Sequence, residues 1–293
     1  MSVKDNSYGI AALQDKMLDI LKCFSSLCEE HNLRYWVAGG SCIGVARHQG
    51  FIPWDDDLDV FMPRPDYEKL WALFQGKDVE GKYRLCRTSR TANYHHRVMQ
   101  MIDLDTTFIN KRNVDSDLEH GVYIDILPLD ARAKSLPGKI RQVFDAIIYS
   151  VYNIQIAPEI NHGKWISLAT NVMLKAISNP DRRYRIWSAA EKRMAKYDWD
   201  SADEVLMLSS MLHEIFNPFP REWFDYRYAQ FEDMKVRVPS NMESYLKKAY
   251  GNYMTLPPKE QREVKHITQF IDLDNSYRKY KGVHYCMHKT GNQ

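Results

Sequence analysis

Residues 55–59 read Asp-Asp-Asp-Leu-Asp, and the chain passes from them straight into the apolar run 58–62. Four like charges in five positions repel one another, so a fold keeps them only where something offsets that cost. Side chains alternate along a strand, which puts Asp55, Asp57 and Asp59 on one face and Leu58, Val60 and Met62 on the other. The apolar face suits a core, and the acidic face is left at an edge or cleft. Two carboxylates about 7 Å apart along a strand can converge on one divalent cation. A hard ion such as Mg²⁺ (or Mn²⁺) takes oxygen ligands, keeps water, and commonly shares its site with substrate phosphates. Its charge also removes the repulsion. An Asp-rich tetrad can equally be a solvated turn or a cap. Here the acids run into a strand instead of ending in a loop, which favours the metal.

A second signal lies upstream. Residues 35–38 (YWVA) read as a short buried strand, followed by Gly39-Gly40-Ser41 and a short helix over 42–47. A small-residue turn at a helix N-terminus presents backbone N–H groups to a phosphate. Either signal alone is weak. In this order they describe a nucleotide phosphate and a metal at one sheet edge. A third acid, Asp125, sits inside the apolar strand 122–127 (VYIDIL). Buried aspartate is rare unless it is paired or ligating, so a metal ligand or general base is expected there, with a cap or core ion pair as the alternative. Asp130 reads as a turn residue. Arg47 and Arg64 flank the acidic row and could hold a donor's phosphates, or could be structural partners of the surplus aspartates. His48 reads as a turn residue, and Trp54 as a pocket wall or a packing wedge.

The periodicity predicts helices over 10–31, 65–74, 137–157, 163–178, 181–197 and 241–250, with strands at 83–87, 97–102, 106–109 and 234–238. The fold class is α/β: a mixed-sheet core over 1–130, an added helical segment over 131–215, and a portion over 216–293 that packs back on the core. With 293 residues the chain can bury a sizeable core, and 40 basic against 38 acidic side chains argue against a nucleic-acid partner. Five cysteines without metal-ligand spacing fit reduced thiols in the cytoplasm. No stretch approaches the ~20 apolar residues of a membrane span, which leaves room for peripheral contact at the inner face of a membrane.

The stretch YWVAGGSCIGVARHQGFIPWDDDLDVFMPRPDY resembles the signature of the LicD family, to which the fukutin and fukutin-related proteins belong, and the likeness continues through YIDILPLD and VPSNMESYLKKAYGNYMTLPPKEQREVKH. Residues 130–215 contribute little to it. Strand, Gly-Gly-Ser, helix and then Asp-Leu-Asp also resembles the nucleotidyltransferase superfamily, although the fifteen residues between Ser41 and Asp57 make a long spacer. The resemblance implies a nucleotidyltransferase-like fold and a metal-dependent phosphotransferase. Such an enzyme takes phosphocholine from CDP-choline, or ribitol phosphate from CDP-ribitol, and places it on a glycan hydroxyl, releasing CMP. It further implies that Asp57 and Asp59 are the metal-binding pair, with Asp55 in the same row. Asp125 is then the third acid and the base for the acceptor hydroxyl, and Gly40 and Ser41 are the phosphate turn. The zinc-binding cysteines of fukutin-related protein have no counterpart here.

The expected donor is a CDP-alcohol, with phosphocholine foremost. The expected acceptor is a cell-surface glycan such as lipopolysaccharide or teichoic acid, lipid-linked acceptors included. Two rivals share part of the pattern: a true nucleotidyltransferase that releases pyrophosphate, and a non-catalytic glycan- or nucleotide-binding protein. Glycosidase chemistry also uses two carboxylates, but four crowded aspartates beside a phosphate-type turn suit it poorly.

Overall fold

The computed structural model describes residues 6–156, 164–210, 212–264 and 268–287. The N-terminal part runs α1 (Ala11–Glu30), β1 (Trp36–Val37), α2 (Gly39–His48), β2 (Asp59–Pro63), α3 (Arg64–Phe74), β3 (Asp78–Val79), β4 (Tyr83–Cys86), β5 (Met99–Asp103), β6 (Thr107–Asn110) and β7 (Tyr123–Ala131). Then come α4 (Leu136–Ile154), α5 (Lys164–Ala176), α6 (Pro180–Met194), β8 (Glu204–Leu206), α7 (Leu212–Ile215), β9 (Phe219–Pro220), β10 (Tyr226–Phe231), β11 (Met234–Pro239), α8 (Met242–Tyr250) and β12 (Thr268–Asp272).

The main sheet is mixed, in the order β1-β2-β7-β5-β4-β3. Its one parallel pair, β2 with β7, is central and sets Asp59 beside Asp125. The next pair, β7 with β5, is antiparallel and sets Gln100 against Asp125. The helix α1 buries Leu13, Met17, Leu21 and Phe24 and packs across β5 and β7, while α3 covers β2, β4 and β7. The hairpin β10–β11 and the helix α8 pack back on β1 and α2, so Val236, Val238 and Tyr245 share one core with Trp36, Phe61 and Ile126.

Three local readings need correction. β7 continues through Pro128 to Ala131. The proline is tolerated because β5 pairs with β7 only up to Ile126 and β8 joins only at Asp130, so its missing N–H falls in the gap. Asp130 is therefore a fully buried strand residue and not a turn residue. The helix α2 starts at Gly39, so Gly-Gly-Ser forms its first turn instead of preceding it. The strand β10 was missed beside β11, because a Tyr-rich stretch with mostly exposed side chains has no apolar alternation to read. The expected ends at 157 and 163 lie outside the described residues.

Over α4 and α6 a second core forms from Ala146, Tyr149, Trp187, Ala190, Met194 and Leu206. All five cysteines are unpaired. Among the described residues no helix is long and apolar enough to cross a membrane.

Candidate active site

From Asp55 to Val60 exposure alternates: Asp55, Asp57 and Asp59 are half-buried, while Asp56, Leu58 and Val60 are buried. The acidic row thus has the two-residue period of an extended chain even before β2 begins. The side chain of Gln14, buried on α1, donates to the carbonyls of Ile52 (3.0 Å) and Asp55 (3.0 Å) and so holds the turn that leads into the row.

The start of α2 is built against these acids. Gly39 has φ +56°, and a Cβ there would lie 2.8 Å from Oδ2 of Asp59. A Cβ on Gly40 would lie 2.8 Å from Oδ2 of Asp55. Both glycines are needed for close approach, and Gly39 also for its left-handed backbone. The carboxylates of Asp55 and Asp59 lie against the positive end of a helix, which favours anions. Ser41 is buried, and its Oγ accepts from the amide of Asp59 (3.1 Å), so it ties the turn to β2. The amide of Gly39 donates to the hydroxyl of Tyr245 on α8 (3.1 Å), so the C-terminal portion helps hold the turn.

Across the sheet, Asp59 and Asp125 are lateral neighbours, and neighbouring strands lie about 4.8 Å apart. Burial, together with the nearby charges of Asp57, Asp125, Asp55 and Glu214, pushes Asp59 well above the usual carboxylate range. Asp125 Oδ1 accepts from Nε2 of Gln100 (2.9 Å), and its Oδ2 lies 3.7 Å from Nε2 of His96. The other ring nitrogen of His96, Nδ1, is buried and has no hydrogen-bond partner among the described residues.

Among the described residues no three His, Cys, Asp or Glu side chains make up a complete metal-binding group. Mg²⁺ does not ask for one, since one or two carboxylates, water and substrate phosphates commonly suffice. The donor set fits such an ion: oxygen ligands only, in a row where burial and neighbouring charges disfavour the ionised form of Asp59, a cost that a cation offsets.

The two arginines part company. Arg47, in the last turn of α2, donates to the carbonyl of Tyr253 (3.0 Å), and its guanidinium lies 6.0 Å from the ring of Trp54. Arg262 lies over the same ring at 5.5 Å. Burial and the charge of Arg262 lower the pKa of Arg47, against the pull of Asp55. Trp54 is buried between them and packs on Tyr8. It is a packing wedge, and His48 closes the last turn of α2 next to it.

Arg64 sits at the opposite end of β2, about 16 Å of extended chain beyond Asp59. It is buried and makes two parallel bonds to Asp130 (2.7 and 2.9 Å), with further bonds to Glu191 (3.1 Å), Glu68 (3.3 Å) and Ser209 (3.1 Å). This is the structural alternative, not a phosphate clamp. Asp130 is buried only because it pairs with Arg64.

His96, Gln100, Gln14, Tyr245 and Glu214 escaped the reading of the sequence. Only Tyr245 lay in a motif already singled out, and the rest reach the site through strand pairing or packing that no spacing announces.

Residues 32–139, which carry the turn, the acidic row and Asp125, match the family model described as the LicD/FKTN/FKRP nucleotidyltransferase domain. The chain carries a LicD-family domain. The lipopolysaccharide cholinephosphotransferase LicD of Haemophilus influenzae is 28% identical over 258 residues, covering 86% of this chain and 94% of that protein. The ribitol 5-phosphate transferase FKRP of Homo sapiens is 53% identical over 32 residues, only 11% of this chain and 6% of that protein. The likeness to the LicD protein thus runs well beyond the domain, while that to FKRP is confined to a short stretch.

Proposed function

We propose that the chain transfers phosphocholine from CDP-choline to a hydroxyl of a lipopolysaccharide-type glycan, releasing CMP. The observation that carries this reading is the register of β2 on β7, which sets Asp59 and Asp125 side by side in front of the Gly39–Gly40 helix start. The near full-length similarity to a lipopolysaccharide cholinephosphotransferase supports the choice of donor and acceptor.

Phosphoryl transfer asks a protein mainly for alignment and charge neutralisation. Asp57 and Asp59 would hold Mg²⁺ or Mn²⁺, with Asp55 beside them. Such an ion, when bound, neutralises diphosphate charge and steadies the leaving phosphate. The amides of Gly40 and Ser41 face the donor from the helix start. Arg47, joined by Arg262, binds phosphate oxygens on the flank of Asp55. Asp125, oriented by Gln100, takes the proton of the acceptor hydroxyl. The acceptor oxygen then bonds to the phosphorus of phosphocholine as the bond from that phosphorus to CMP breaks.

The test is to incubate the full chain with Mg²⁺, lipopolysaccharide and, in separate arms, CDP-choline, CDP-ribitol and CTP. CMP and choline-labelled acceptor in the first arm, lost in Asp59→Ala, are the expected result. Pyrophosphate from CTP points instead to a nucleotidyltransferase. Turnover in none of the arms leaves a binding protein.

A further inference from the structure

The described surface carries an apolar stripe that the proposed chemistry does not use. On α4, Leu136 is 69% exposed, Ile140 63%, Phe144 55% and Ile147 37%. Their spacing is one helical face, and half-buried Val151 and Ile154 continue it. At 100° per residue all six fall within an arc of about 80°, along a helix about 28 Å long. Lys139 and Arg141 lie about 100° to either side of the centre line of the stripe.

The inward face of the same helix carries polar side chains alongside Ala146, Tyr149 and Tyr152. Gln142, Asp145 and Asn153 are buried at 2, 0 and 1% exposure. Asp145 is held by Arg141 (2.8 Å) and Arg193 (2.6 Å), and Gln142 donates to the carbonyls of Ala131 and Met194. The neighbouring helix α5 repeats the pattern. It buries Ser167 and Thr170 beside Leu174 while Ile166, Leu168 and Val172 stay 45, 51 and 60% exposed. A helix facing water shows the reverse distribution. Two adjoining helices that turn apolar side chains outward are built to meet something other than water.

Charge selects what that is. Residues 132–196 hold twelve of the chain's 40 Lys and Arg but four of its 38 Asp and Glu, a net +8 in a chain whose total is +2. Lys134, Arg141, Lys175, Arg182, Arg185, Lys192 and Lys196 are exposed. A symmetric dimer through this face would set two +8 segments against each other, because a two-fold contact joins the same patch on both copies. An acidic surface would be drawn to it. Lysine and arginine beside a Leu/Ile/Phe face are the marks of a helix that lies in a lipid headgroup layer, and none of the described helices can span a bilayer.

We infer that the exposed faces of α4 and α5 dock the protein on an anionic phospholipid bilayer, with Leu136, Ile140 and Phe144 entering the headgroup layer and the surrounding basic residues meeting lipid phosphates. This docking does not depend on the proposed reaction, and its test does not read activity, so the two can fail separately.

The experiment sediments the full chain with phosphatidylcholine vesicles, with and without phosphatidylglycerol. The expected result is binding that needs phosphatidylglycerol, fades with added salt, and weakens at least ten-fold in Ile140→Gln/Phe144→Gln. Lys139→Glu/Lys175→Glu should weaken it by at least roughly twenty-five-fold, at about five-fold for each basic residue near an anionic surface. All four positions are at least partly exposed, and unchanged circular dichroism melts confirm that the variants fold. Absent vesicle binding, or equal binding by wild type and the Ile140/Phe144 variant, overturns the inference. So does a concentration-dependent dimer in ultracentrifugation that this variant abolishes, because a second copy then covers the face.

Discussion

Arg64→Met separates a structural arginine from a donor-binding one. The guanidinium of Arg64 is 5% exposed, the Asp130 carboxylate 0% and that of Glu191 10%, so the ion pairs are hardly screened by solvent. Removing the arginine leaves the Asp130 carboxylate buried with a charge and no other ion-pair partner among the described residues. Breaking a buried pair in this way costs about 3–5 kcal/mol. Glu191 keeps Arg87 (2.9 Å), which holds the loss towards the lower end. At about 2–4 °C per kcal/mol for a chain of comparable size, the melting temperature should fall by about 6–20 °C, read by circular dichroism. Asp130→Asn should cost less. The double variant Arg64→Met/Asp130→Leu should recover part of the loss, because apolar replacement of a whole buried pair is often tolerated. Binding of CDP-choline by Arg64→Met, measured well below its melting point, should match wild type. A variant that melts within about 2 °C of wild type but loses donor affinity would falsify the structural assignment.

Gly39→Ala should abolish transfer while costing modest stability: a left-handed alanine is worth roughly 1–2 kcal/mol, and the new Cβ would meet Oδ2 of Asp59 at 2.8 Å. Full activity in that variant refutes the close-approach argument. Asp125→Asn should lower kcat by about 10²–10⁴-fold with donor affinity little changed, and calorimetry that finds donor binding lost makes Asp125 a ligand instead. His96→Gln should act on the same step less steeply, and an effect on donor KM alone would detach it from Asp125. The ring of His120 is buried against Tyr285, its Nε2 donates to the Ser116 carbonyl (2.9 Å), and burial holds its pKa below the ordinary 6.5. The unfolded chain therefore binds the proton first on acidification. This contribution is complete above about pH 6.5 and declines as pH falls towards the folded value, so the melting temperature should drop less between about pH 7.5 and 5.5 in His120→Asn. An identical slope in both proteins removes His120 as the cause.

What the sequence determined by itself was local. The alternation through Asp55, Asp57 and Asp59 follows from the two-residue period of extended chain, and it held through residues that precede the strand proper. Gly39-Gly40 marked a close approach of backbone to an anion, since only glycine leaves that space. The helical period of α4 was equally written in its spacing, but that its apolar line faces outward only the packing decided. The rest depended on which segments pair. Asp125 became a site residue because β7 lies parallel to β2 in one particular register, and a shift by one residue would turn it to the other face. Gln100 and His96 came with the antiparallel strand on its far side, and Tyr245 came with a helix about 200 residues further along the chain. Arg64 shows the limit most directly. Near Asp59 in sequence, it is carried to the other end of β2 by extended chain and captured there by Asp130 and Glu191, because a buried guanidinium is bound by whichever carboxylates the fold brings within reach.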